Sequence, residues 1–133
     1  KFEERANCVV DQFNGYEVQP GLRINGRLAL GENIGDLGGL NVAYEAYKKS
    51  LEGKPTPAKI DGFTADQRFF LGWAQIWAIK FTPEALRQQI LTGPHSPGQW
   101  RVIGPLSNMP QFAEAFGCKV GQKMVRENPC VIW

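Results

Sequence analysis

The sequence is organised around residues 31–51, which read GENIGDLGGLNVAYEAYKKSL. Four side chains of this stretch recur every three or four residues: Asp36, Leu40, Ala43 and Tyr47. This spacing places side chains on one face of an α-helix, so we predict a helix from Glu32 to about Leu51. Two carboxylates one helical turn apart, Glu32 and Asp36, are expected at its inward face.

Other helices are predicted on both sides of this one from apolar periodicity and from capping residues. Thr64-Ala65-Asp66-Gln67 has the pattern of a capping box that starts a helix. Asn14-Gly15 and Gly93-Pro94 are typical helix ends. The predicted ranges are 2–13, 64–80, 82–92 and 108–117, the last with Pro110 in its first turn.

The remaining segments are predicted to be a hairpin and a packed connection. Residues 22–30 alternate apolar and polar side chains around Asn25-Gly26, a strong hairpin signal. Residues 95–105 hold several Gly and Pro breaks, so we expect an irregular but packed segment there. The predicted fold class is mainly α with one small β-hairpin, and residues 1–133 form one unit without an internal boundary.

Composition narrows the classes of partner. The 133 residues are 43% hydrophobic and carry a net charge of only +2, without a basic stripe, which argues against nucleic acid as a partner. The longest apolar run, 69–81, is shorter than the roughly 20 residues of a transmembrane helix, and we interpret it as a buried core helix. The charged opening, Lys1-Phe2-Glu3-Glu4-Arg5, lacks the features of a signal peptide and is expected to be a cut end.

The three cysteines are Cys8, Cys118 and Cys130, and none forms a C-x-x-C pair. A zinc site built from thiolates alone is therefore disfavoured. An odd number allows one disulfide and one remaining thiol, and composition leaves the pairing open.

Glu32 and Asp36 support two interpretations. A zinc ion contacted by Glu32, with Asp36 orienting a ligating histidine, would compensate carboxylates that face the core. Alternatively, both acids simply stabilise the positive end of the helix dipole near solvent.

His95 and Arg101 are also open to two interpretations each. His95, the single histidine, lies between Pro94 and Pro97 and is suited to donate to a developing oxyanion, or is an ordinary loop histidine. Arg101 is suited to clamp a substrate carbonyl, or to form a structural ion pair with Asp or Glu. Ile76 and Trp77, taken alone, are most simply core residues.

Taken together, the motifs resemble those of the neprilysin and endothelin-converting-enzyme family. The stretch Glu32 to Gly39 is similar to the family signature E-N-x-x-D-x-G-G, with Gly35 and Leu37 as departures from its commoner residues. Further matches occur in the family's order over essentially the whole chain: Ala74 to Trp77, His95 to Pro97, Trp100 to Gly104, Phe112 to Phe116 and Cys130 to Trp133.

The resemblance implies the C-terminal helical part of a thermolysin-like (gluzincin) catalytic lobe, in a bacterial member of the family. The activity would be zinc-dependent endopeptidase cleavage of peptides before hydrophobic residues. Glu32 would be the third zinc ligand and Asp36 the acid that orients a zinc-bound histidine. His95 would stabilise the oxyanion and Arg101 would hydrogen-bond a substrate carbonyl. Ile76 and Trp77 would line the pocket for the residue after the scissile bond.

The resemblance also implies a Cys8–Cys130 disulfide and hence an extracytoplasmic location. Cys118 matches a position that pairs with a cysteine far upstream. The two zinc histidines and the general base belong to an H-E-x-x-H helix, which the sequence lacks. We therefore expect its partners to include the upstream part of the same polypeptide, and expect residues 1–133 alone to be inactive.

The sequence also allows two alternatives to a peptidase. The first is a non-catalytic relative that keeps the fold and binds peptides. The second is a helical interaction domain that has no active site.

Overall fold

The computed structural model describes residues 1–132, which contain six helices and one two-stranded antiparallel sheet. The prediction of a mainly helical fold with a small hairpin is confirmed. The elements are α1 Phe2–Asn14, β1 Glu17–Gln19, β2 Leu22–Arg23, α2 Leu30–Ser50, α3 Ala65–Ile76, α4 Pro83–Thr92, α5 Gly98–Leu106 and α6 Pro110–Phe116.

Several helix ends follow directly from local sequence. At the start of α3 the Thr64 hydroxyl accepts from the Gln67 N–H, and the Gln67 side chain accepts from the Thr64 N–H. The Thr82 side chain caps α4 in the same manner by accepting from Ala85 N–H. Helix α6 ends at Gly117, whose φ of 64° is a left-handed conformation that glycine adopts readily.

Helix α2 packs against α1 and α5 and contributes residues to two apolar clusters. The first cluster lies around Val9 and Phe13 of α1, and the second around Phe70 of α3 and Phe112 of α6. The buried side chains of α2 are Asn33, Asp36, Leu37, Leu40 and Tyr44. The predicted inward position of Ala43 is wrong, because Ala43 is exposed and Tyr44 occupies the core instead.

The hairpin lies earlier in the chain than predicted, with its turn at Pro20-Gly21 rather than at Asn25-Gly26. Gly21 has a φ of 73°, which suits the turn. The Asn25 side chain instead accepts from the Leu28 N–H and leads the chain into α2. Gly26 lies against α1, where a Cβ atom would approach the Val10 carbonyl oxygen to 2.3 Å. The Asn-Gly pair is therefore required for packing and not for a hairpin turn.

Residues 95–105 were predicted to be an irregular connection, but residues 98–106 form helix α5. The breaking residues do not prevent this helix, because Pro97 caps its start and Pro105 lies in its last turn. Pro105 has no N–H to donate to the Arg101 carbonyl, and the Trp73 indole of α3 donates to that carbonyl at 3.0 Å. A contact from another helix thus replaces the missing backbone bond.

The prediction of a buried helix over the apolar run 69–81 is also wrong. Helix α3 ends at Ile76, four residues before the predicted end, and Phe70 is its one fully buried residue. Ile76 is 65% exposed and Ile79 53% exposed. Within residues 1–132, no helix combines the length and apolar character needed to span a bilayer.

A disulfide joins Cys8 in α1 to Cys130 near the end of the chain, across a sequence separation of 122 residues. The same region is held by the guanidinium of Arg5, which donates to the Ile132 carbonyl at 2.9 Å. The buried Asn108 side chain also accepts from the Cys130 N–H at 2.7 Å. The C-terminal tail is therefore fixed against the first helix by covalent and polar contacts.

Candidate active site

Glu32, Asp36 and Arg101 meet where α2 packs against α5. Arg101 Nε donates to Asp36 Oδ2 at 2.6 Å, and Nη2 donates to Oδ1 at 2.7 Å. This is a two-point pair between a planar guanidinium and a carboxylate, the strongest ion-pair geometry available to side chains. The Asp36 carboxylate raises the pKa of Arg101, mainly through these hydrogen bonds, so Arg101 remains a cation.

Glu32 is more loosely held than Asp36. Its Oε2 lies 3.4 Å from Arg101 Nη2 and 3.4 Å from His95 Nε2, both long contacts. The Glu32 side chain is about half buried, whereas that of Asp36 is almost entirely buried. The two carboxylates therefore differ, since Asp36 is fixed in place by Arg101, with a second lone pair left on each oxygen, and Glu32 has an accessible oxygen.

His95 lies in the loop between α4 and α5, and its side chain is half exposed. Its backbone carbonyl accepts from Gln89 Nε2 of α4 at 3.2 Å. The next residue, Ser96, donates its hydroxyl hydrogen to Asn33 Oδ1 of α2 at 2.8 Å. Three separate segments of the chain thus bring His95, Arg101 and the two acids together.

Trp77 and Ile76, at the end of α3, lie on different sides of the helix. The Arg101 guanidinium carbon stacks over the Trp77 ring, 4.0 Å from the ring centroid, a geometry that favours a cation. Ile76 lines an apolar groove of about 370 Å³ that Trp73, Phe69, Leu40 and Asp36 also border. Ile76 and Asp36 therefore line the same groove, and the Trp77 ring packs against Arg101.

Asn33, Ser96, Trp73 and Gln89 also support the site, although none of them was assigned a role from the sequence. Asn33 and Ser96 lie within the motifs that contain Glu32 and His95, and this adjacency was the available signal. The bond between Ser96 and Asn33 joins residues 63 positions apart, and the bond from Trp73 to the Arg101 carbonyl joins residues 28 positions apart. No local pattern reports such pairings.

A catalytic zinc ion needs about three protein ligands, and the site offers part of that set. Within residues 1–132, no group of three or more His, Cys, Asp and Glu side chains is arranged to hold a metal ion. The half-buried Glu32 carboxylate, with only long neighbours, fits one ligand position. Asp36 fits a supporting position, because it is buried and already fixed by Arg101.

The model of Peptidase family M13 matches residues 1–132. The chain belongs to this peptidase family. It is 43% identical to rat endothelin-converting enzyme 1 over 134 residues, which is 99% of the chain and 18% of that protein. It is 42% identical to neprilysin-3 of Drosophila melanogaster, over 100% of the chain and 17% of that protein.

A solved structure of the family has the same fold. The structure of the zinc metalloprotease Zmp1 of Mycobacterium tuberculosis with an inhibitor matches with a TM-score of 0.93 and 36% identity, over 99% of this chain and 21% of that one. The chain thus spans about a fifth of the length of the family members it matches.

Proposed function

We propose that this chain is the C-terminal part of the catalytic domain of a zinc-dependent endopeptidase. The observation that carries the proposal is the meeting of Glu32, Asp36, His95 and Arg101 from α2, α5 and the loop before α5. These are the polar residues expected at a zinc peptidase site. The family membership of the chain supports the same reaction class.

Glu32 would contribute one ligand to the zinc ion, and the other ligands and the general base would come from an H-E-x-x-H helix elsewhere in the polypeptide. The bound ion would supply a Lewis acid that polarises the scissile carbonyl. On this basis residues 1–133 alone do not hydrolyse peptides. Asp36, fixed by Arg101, would orient a ligating histidine by accepting its ring N–H.

His95 would donate a hydrogen bond to the oxyanion that forms on the substrate, and its exposed position beside Glu32 supports this role. Arg101 keeps Nη1 without a hydrogen-bond partner in the part of the chain that the structure describes, so this nitrogen is available for a substrate carbonyl. Ile76, on the apolar groove, would contact a hydrophobic side chain after the scissile bond. Trp77, whose ring packs against the Arg101 guanidinium, would contact the same substrate side chain as Ile76.

The disulfide between Cys8 and Cys130 supports an extracytoplasmic location, because such bonds persist in oxidising compartments. Peptides are the proposed substrates. Cys118, which is free within residues 1–132, would pair with an upstream cysteine.

A hydrolysis assay on the full-length protein tests the proposal. Glu32→Gln should abolish cleavage of a peptide with an internal hydrophobic residue and should lower the bound zinc content. Glu45→Gln makes the same charge change on an exposed residue of the same helix and should affect neither. Activity and zinc retained in Glu32→Gln would refute the proposal.

A second candidate is a non-catalytic relative that binds peptides through the apolar groove. It predicts peptide binding without cleavage in the wild-type protein. Cleavage of a hydrolysable peptide by the wild-type protein supports the first candidate, and binding of the same peptide without cleavage supports the second.

A further inference from the structure

Asn33 and Ser96 form a buried hydrogen bond beside the candidate site. Asn33 follows Glu32 on α2 and is 1% exposed, and Ser96 follows His95 and is 2% exposed. The Ser96 hydroxyl donates to Asn33 Oδ1 at 2.8 Å. A hydrogen bond that excludes water has a fixed geometry, because its groups have no solvent to exchange with.

This bond is the main polar connection between the loop 93–97 and helix α2. The other polar side-chain contact between the two, within residues 1–132, is the 3.4 Å approach of His95 to Glu32. Pro94 and Pro97 have no N–H to anchor the loop backbone. The His95 carbonyl accepts from Gln89, which fixes the loop to α4 and not to α2.

The buried Asn33 side chain relies on the same hydrogen bond with Ser96. Its Nδ2 is buried and has no partner in the part of the chain that the structure describes. The Ser96 hydroxyl is thus the side-chain partner of a buried amide that is adjacent in sequence to Glu32. A change in Ser96 therefore acts at the point where the Glu32 helix and the His95 loop meet.

We propose that Ser96 and Asn33 are positioning residues that fix the His95 imidazole beside Glu32. The proposal rests on the proposed function, because it assigns a purpose to the position of His95. Neither residue touches the substrate, since both are buried. Losing the bond would let His95 move relative to Glu32, and misplacement of a donor by about 1 Å lowers turnover by up to roughly 100-fold.

The test uses the full-length, zinc-loaded protein. Ser96→Ala should lower kcat at least about tenfold, with KM and zinc content unchanged, because the donor acts on the transition state. The matched control is Ser107→Ala, which removes another buried hydroxyl, one bonded to the Gly104 carbonyl away from the site. Ser107→Ala should keep its kcat.

A double-variant cycle with His95→Ala separates positioning from general stability. If Ser96 acts through His95, Ser96→Ala should cause no further loss of kcat in the His95→Ala background. An equal loss in both backgrounds, or no loss in either, would overturn the proposal. Ser96→Cys keeps the side-chain size with a weaker donor, so it should fold and show an intermediate kcat, and an unchanged kcat would count against the proposal.

Amide hydrogen exchange gives a readout that does not need activity. The backbone amides of Trp100 and Arg101, which donate to the Pro97 carbonyl at the end of this loop, should exchange at least about tenfold faster in Ser96→Ala than in Ser107→Ala. Equal exchange in the two variants would refute the positioning role. If the wild-type protein proves inactive while exchange still rises, the proposed function fails but the bond is still shown to hold the loop.

Discussion

Arg101 is held on two sides by groups of different character. Asp36 binds it edge-on with two hydrogen bonds, and the Trp77 ring lies against its face. The sequence left open whether Arg101 clamps a substrate or forms a structural ion pair, and the structure shows the ion pair with Asp36. The same pairing leaves one nitrogen of Arg101 available, so the two roles are compatible.

At this scale we expect Asp36→Asn to destabilise the fold. The Arg101 side chain is only 12% exposed, so removing the Asp36 charge leaves a largely buried cation with only the 3.4 Å contact to Glu32. The free energy of unfolding, measured by urea denaturation, should fall by about 3 kcal/mol. Glu17→Gln breaks the exposed pair with Arg23 and should change it by less than about 0.5 kcal/mol. Equal losses in the two variants would contradict this account.

At the scale of single elements, Gly26 sets how closely the segment before α2 approaches α1. Gly26→Ala should lower the free energy of unfolding by about 1–3 kcal/mol, because the added Cβ would meet the Val10 carbonyl at 2.3 Å. Gly72→Ala, in open space on α3, should raise it by about 0.5–1 kcal/mol because alanine favours helices. Thermal unfolding of both variants checks the prediction, and a neutral Gly26→Ala would refute it.

The packing of α2 on α3 should be sensitive to alkaline pH through Tyr44. This side chain stacks on Phe70, with ring centroids 5.2 Å apart. Burial, and then the nearby Asp66 carboxylate, raise the pKa of Tyr44 from 10.0 to about 12. Its protonated form is therefore favoured in the folded state. Its contribution to stability is complete below pH 10 and is lost as the pH rises toward about 12.

Measuring the free energy of unfolding across this pH range tests the Tyr44 prediction. The wild-type protein should lose stability between pH 10 and about 12, and Tyr44→Phe should lose less over the same range. Identical slopes in the two proteins would show that Tyr44 ionises freely.

Elements with local signals were predictable, and those that depend on distant contacts were not. Thr64 and Gln67 cap α3 within four consecutive residues, so the sequence alone predicted that helix start. In helix α5 the Trp73 indole donates to the Arg101 carbonyl, which Pro105 leaves without a backbone donor. The conformation around Asn25-Gly26 depends on the close approach of Gly26 to the Val10 carbonyl. Glu32, Asp36, His95 and Arg101 were proposed as site residues from motifs, and the structure brings them together, whereas the bond between Asn33 and Ser96 required the structure.

At the scale of the whole molecule, the disulfide should contribute strongly to stability. It closes a loop across 122 residues, and cross-links of this kind typically stabilise by about 2–5 kcal/mol. The double variant Cys8→Ser/Cys130→Ser should lose about that much in urea denaturation. Val131→Ser, which alters the exposed neighbour of Cys130 and leaves the disulfide intact, should lose little. Comparable losses in the two variants would contradict the prediction.

The bond between Cys8 and Cys130 also makes the chain between the first helix and the tail a covalently closed loop. Their Cα atoms are 5.6 Å apart, and the residues between them include the exposed segment 52–56. A single proteolytic cut in this segment would therefore leave two pieces that stay joined through the two sulfur atoms. The pieces should separate on a denaturing gel only after the disulfide is reduced.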